Sequence, residues 1–136
     1  MKKSRLLLCT LLCSVLSITV FSQEAFTNCS AAFLNSKLVV DEYSPSGKCT
    51  LPDTATGELT VCTANLSPEN SIPVEKIKFK IALRDKSTGT LTMFSNETYK
   101  QVDIRKVLTR CKKGDHIVLI TTDTEYSLPH NEIQVF

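Results

Sequence analysis

Histidine is scarce in this chain, two among 136 residues, and neither His116 nor His130 has a second histidine two or four positions away. That absence excludes the simplest zinc arrangement, in which two imidazoles share one face of a strand or helix. No G-x-S-x-G occurs, and no cysteine sits in a recognisable protease surround. A poised nucleophile with base and orienting acid therefore has no local signature. The neighbouring acids Asp41 and Glu42 would point to opposite faces of a strand, which leaves paired-carboxylate chemistry unmotivated. The D-x-D-x-D-G calcium loop is missing, although Asp115, Asp123 and Glu125 are loop acids that could offer oxygen ligands. Internal repeats and low-complexity tracts are absent as well.

What is present begins with an export pattern. Lys2, Lys3 and Arg5 precede an uncharged, Leu- and Val-rich run from Leu6 to Phe21. Its reach of about 24 Å falls short of the roughly 30 Å hydrocarbon layer, so a cleaved leader is expected and a stable membrane span is not. Small residues at Val20 and Ser22 place the cut after residue 22. Lipid attachment at Cys13 is the competing reading, but Leu12 occupies the position where a small residue is wanted. The expected organisation is a signal peptide over 1–22, a lead-in over 23–32, loose unless Cys29 ties it down, and one domain over 33–136.

Removing the leader changes the charge balance from +2 to about −1, with 13 basic against 14 acidic residues. This balance argues against nucleic acid and anionic membrane as partners, because both need a clustered basic footprint. Cys29, Cys49, Cys62 and Cys111 remain, an even number without the close spacing of a zinc knuckle or redox motif. Folding Thr50 to Thr60 as a hairpin about Ala55 and Thr56 would set Cys49 opposite Cys62, with Cys29 and Cys111 paired by elimination. Free buried thiols are the alternative.

The strongest periodicity runs from Lys76 to Arg84, where Ile77, Phe79, Ile81 and Leu83 alternate with Lys76, Lys78, Lys80 and Arg84. Period two predicts a half-buried strand, returning through Asp85 to Gly89 into Thr90 to Phe94. The consecutive apolar residues Ile117 to Ile120 predict a central strand over 116–122. Leu38 to Tyr43, Glu58 to Ala64 and Ile133 to Phe136 add further strands. Apolar spacings between Val102 and Cys111 predict a helix of two or three turns, capped by Asp103 and closed before Gly114. The whole reads as mainly β, a small antiparallel β-sandwich with one short helix.

On such a strand Lys76, Lys78, Lys80 and Arg84 form a basic stripe without interleaved exposed aromatics, which argues against single-stranded nucleic acid. It reads as a solvated or lysine-guarded edge, or as a surface for an acidic partner. Asn28-Cys29-Ser30, Asn65-Leu66-Ser67 and Asn96-Glu97-Thr98 match the N-glycosylation acceptor pattern, of consequence in a eukaryotic secreted factor.

From Ile77 to Phe136 the order of features resembles the C-terminal β-sandwich domains of GldM, a gliding-motility and type IX secretion protein of Bacteroidetes. The features are Phe79-Lys80-Ile81, a hairpin, Val107-Leu108 leading into Lys112-Lys113-Gly114-Asp115, an apolar strand, and Leu128-Pro129 followed by Asn131-Glu132-Ile133. The resemblance covers about half of the mature chain and its motifs are structural. It implies a periplasmic or surface module of assembly type and carries over no catalytic residue. The expectation is a non-enzymatic binding or scaffold module that meets another envelope or secreted protein, with no cofactor and no metal. The runner-up is a small secreted hydrolase or ligand-binding protein using His116 or His130 with nearby acids.

Overall fold

The computed structural model describes residues 29–65 and 71–136. The expected leader, and residues 23–28 of the lead-in, lie outside them. The described chain is mainly β and forms two sheets with one short helix, as expected.

The first sheet contains β1 (Ser30–Leu34), β2 (Lys37–Leu38), β4 (Glu58–Asn65) and β5 (Ile72–Lys76), in the order β2-β1-β4-β5. A further strand, β8 (Val102–Asp103), pairs with the start of β4. The second sheet runs β3 (Thr50–Leu51), β10 (Glu132–Val135), β9 (His116–Thr121), β6 (Phe79–Arg84) and β7 (Leu91–Met93). Among the named strands all pairings are antiparallel except β3 with β10, which are parallel, and an isolated parallel bridge joins Cys29 to Ser127. Ser30, Ala31 and Ala32, expected in the lead-in, are buried in β1.

Alternation builds the core. Phe79 and Ile81 of β6, Ile117 and Leu119 of β9, and Ile133 and Val135 of β10 point inward, where they meet Ala32, Leu59 and Val61 of the first sheet. A smaller cluster, Ala31, Phe33 and Cys62, occupies the opposite face of the first sheet. Leu38 and Tyr43 pack over it, so the 39–49 loop gives that sheet a second buried face. Of the expected strand over Leu38 to Tyr43 only Leu38 joins a ladder, beside Lys37, with one bridge at Val40 to Cys49.

The expected strand over 76–84 proves to be two. β5 ends at Lys76, Ile77 and Lys78 cross between the sheets, and β6 begins at Phe79. Ile77 is buried and its N–H donates to Val61 O. Ile77 of the crossing joins Phe79 and Ile81 of β6 in one core, whereas Ile72 and Val74 of β5 are exposed, so the single alternation spans the crossing and β6 only. β9 is the middle strand of its sheet, as expected.

The helix α1 (Ile104–Leu108) is shorter than its apolar spacing predicts, because Val102 and Asp103 extend as β8 before it. The Asp103 carboxylate accepts the Arg105 N–H, the cap expected from the sequence. Ile104, Val107 and Leu108 are its buried face.

The expected cysteine pairs are corrected by the sheet assignment. Thr50 to Thr60 is no hairpin: β3 pairs with β10 in the second sheet, and β4 lies in the first. Cys49 approaches His130 O and Cys62 approaches Thr60 Oγ1, while Cys111 donates to Val107 O within its own turn and Cys29 meets Tyr43. No two of the four stand at disulfide distance, and all are free thiols.

Candidate interaction surface

The outward face of the second sheet follows from its register. Leu91 of β7 lies beside Arg84, which faces His116, which faces Gln134 of β10. In the next row Met93 lies beside Ala82, then Val118, then Glu132. Lys80 faces Ile120 in a third. Charged and apolar groups thus share one face.

Glu132 organises the charged part. Its Oε1 accepts from Arg84 Nη2 at 2.8 Å, and its Oε2 lies 3.2 Å from His116 Nδ1. The Arg84 guanidinium holds the Glu132 carboxyl below the ordinary glutamate range, and the contact with His116 adds to it. His116 and His130 line one open depression of 280 Å³ with Cys49, Asn131 and Glu132. His130 stands edge-on to Tyr43 at 5.3 Å between ring centroids. Burial pushes the Cys49 thiol up to about 11, and burial followed by the nearby Cys29 pushes Tyr43 up to about 12. A thiol so shifted is a poor nucleophile near neutrality.

The basic residues expected to form one stripe are divided by the crossing. Lys76 and Lys78 line a groove with Lys100, Glu75 and Asp123, and Lys76 Nζ donates to Gln101 at 2.6 Å. Lys80 and Arg84 lie on the outer face of the second sheet, with Arg84 committed to Glu132. The loop acids do not converge either. Asp115 is buried and accepts the N–H groups of Lys86 and Lys112, whereas Asp123 accepts the Glu125 N–H. Among the described residues no three His, Cys, Asp or Glu side chains gather closely enough to hold a metal ion. Asn96 and Thr98 of the third acceptor triplet are exposed. Parts of the other two triplets lie outside the described residues.

The sheet edges are unequal. β2 and β3 are two residues long, and β2 carries Lys37. β5 carries Pro73, Glu75 and Lys76 and pairs with β4 through an irregular register at Thr63/Ala64. Shortness, proline, charge and bulges all discourage pairing with another chain. β7 has none of these except brevity: Leu91, Thr92 and Met93 are uncharged and all exposed. Phe94 N–H donates to Ile81 O and Asp85 N–H to Thr90 O, so Thr92 faces β6 and the main-chain groups of Leu91 and Met93 turn outward. Those two residues also expose 46% and 40% of their surface. Sequence reasoning located this strand but could not tell that it ends a sheet.

No family model, curated protein or solved structure matches the chain.

Proposed function

We propose that this protein is an exported, non-enzymatic binding or scaffold module of the bacterial cell envelope, periplasmic or extracellular, which holds another envelope or secreted protein by adding one of that protein's strands to β7. The observation that carries the reading is the exposed, uncharged β7, whose outward main-chain groups coincide with the exposed Leu91 and Met93 side chains. Main-chain pairing supplies affinity in such contacts, and alternate side chains supply choice of partner. The basic and apolar leader and the resemblance of Ile77 to Phe136 to GldM domains support the same reading.

The experiment is affinity capture from envelope extracts with the processed protein and with a Leu91→Lys, Met93→Lys double variant. Lysine at these exposed positions guards the edge and leaves the core untouched. The reading expects a discrete protein retained by the parent and lost by a variant of equal thermal stability. It fails if nothing is retained, or if the same protein binds both forms equally.

A second reading has one observation in its favour, the meeting of His116, His130 and Glu132 around a single depression. A small ligand or hydrolysable substrate held there would lose binding or turnover in a His116→Ala, His130→Ala variant, and unchanged values would dismiss it.

A further inference from the structure

The positive charge of the domain is concentrated. Between Lys100 and Lys113 six of fourteen residues are Lys or Arg and one, Asp103, is acidic. The remainder of the chain from Gln23 holds seven basic and thirteen acidic residues. A net charge near zero therefore conceals a basic segment of +5 on a body of −6. All six cations are exposed.

This segment runs beside the β6–β7 hairpin. At one end the Arg110 guanidinium lies over the Phe94 ring, 5.1 Å from its centroid, and donates to Phe94 O. At the other end Asp115 Oδ1 accepts the Lys86 N–H, and Asp115 Oδ2 accepts that of Lys112. Gly114 adopts φ +95°, and a Cβ there would strike the Lys86 side chain, so the two turns are in close contact. β7 is thereby flanked by Arg110 at its Phe94 end and by Lys86 and Lys112, which share the Asp115 carboxylate, at its hairpin end. Asp85 and Asp115 on this flank are each engaged by backbone N–H groups, and Glu97, three residues beyond Phe94, is an exposed acid at the other end. Arg105 pairs with Asp103, and Lys113 Nζ lies 3.9 Å from Asp53. Lys86, Lys106, Arg110 and Lys112 have no carboxylate within ion-pair distance among the described residues.

Resting on the reading of β7 as a docking edge, we infer that the strand it receives is acidic and alternating. Residues of a strand added to β7 alternate between two sides. Those on the outer side meet Leu91 and Met93, which are apolar and exposed. Those on the other side follow Thr92 and Phe94, the side on which Arg110 sits. The matching partner segment carries apolar side chains at every second position and carboxylates between them. Complementary charge of this kind fixes register and speeds encounter, and it weakens with salt.

The test uses the processed protein and three fluorescent seven-residue probes, all with valine at alternate positions and with glutamate, glutamine or lysine between. Anisotropy titrations at low salt should rank glutamate about tenfold tighter than glutamine, with lysine weakest, and the gap should close at 0.5 M salt. Met93→Lys should abolish binding of every probe. Arg110→Gln with Lys112→Gln should reduce the glutamate probe to the level of the glutamine probe. Equal affinity for glutamate and glutamine probes, both lost in Met93→Lys, overturns the acidic partner and leaves the docking edge standing. Glutamate binding that survives Met93→Lys, or no binding by any probe, removes the edge and the inference together.

Discussion

The turn joining β1 to β2 offers a perturbation whose sign is fixed by geometry. Leu34 pairs with Lys37, so Asn35 and Ser36 form a two-residue loop, and their φ values are +50° and +66°. Two positive φ values are what a type I′ hairpin turn requires, and Asn-Gly is its preferred sequence. Ser36 is the misfit, because a non-glycine residue in the left-handed region costs about 1–2 kcal/mol. Ser36→Gly removes that cost but frees the unfolded chain, a loss of about 0.4–1 kcal/mol. The net expectation is a gain of about 0.5–1 kcal/mol, or a few degrees in the melting temperature. Asn35 does more than turn: its N–H donates to Glu58 O, its Oδ1 accepts the Glu58 N–H at 2.9 Å, and its amide fills the space where a Cβ on Gly57 would sit. Asn35→Ala combines backbone strain with loss of that side-chain bond, about 2 kcal/mol in all. Asn35→Gly keeps the turn conformation; its relief of the left-handed conformation and its freeing of the unfolded chain are of similar size and opposite sign, so the lost bond dominates, about 1 kcal/mol. Thermal unfolding of the processed protein, followed by circular dichroism, reads all three. A destabilising Ser36→Gly, or equal losses for Asn35→Ala and Asn35→Gly, would refute the reasoning.

Further outcomes follow from burial and charge. Phe33→Ala should cost about 3–5 kcal/mol in urea unfolding, since Phe33 is fully buried beneath Leu38 and Tyr43, whereas Val74→Ala, 66% exposed, should stay within about 0.5 kcal/mol. Glu132 is held below its ordinary value of 4.5, so its contribution is present above that pH and is lost as pH falls through and below it. Because Arg84 and Glu132 are each more than a third exposed, the pair is worth about 0.2–1 kcal/mol. Glu132→Gln should therefore flatten the stability profile slightly below pH 4.5 and shift it uniformly above, as measured by urea midpoints at a series of pH values. Burial holds Cys49 and Cys111 near 11, so at pH 8 both should react with maleimide many-fold more slowly in the folded protein than in urea. Equal rates would show that these thiols are open to solvent.

The surface was legible in pieces. Lys80 and Arg84, His116 and His130, and the strand over Thr90 to Phe94 could all be singled out, as could Asp103 as a cap. Their grouping could not. The overall charge balance of about −1 hid the run from Lys100 to Lys113, because opposite charges distant in space cancel in a sum. The parallel pairing of β3 with β10 joins residues more than eighty positions apart, and no local pattern records such a contact. That pairing is what separates Cys49 from Cys62.

Local chain geometry settled what could be read directly. Period-two alternation marked β6, the consecutive apolar run marked β9, the capping carboxylate marked the start of α1, and a charged, apolar leader marked export as the expectation, because each depends on neighbours a few residues apart. The tertiary structure alone decided that Lys76 and Phe79 belong to different sheets, that β7 is an end strand with its main chain open, and that Arg110 to Asp115 runs beside it. These are choices among competing burials of the same apolar faces, and that competition is resolved only when the two layers close on each other.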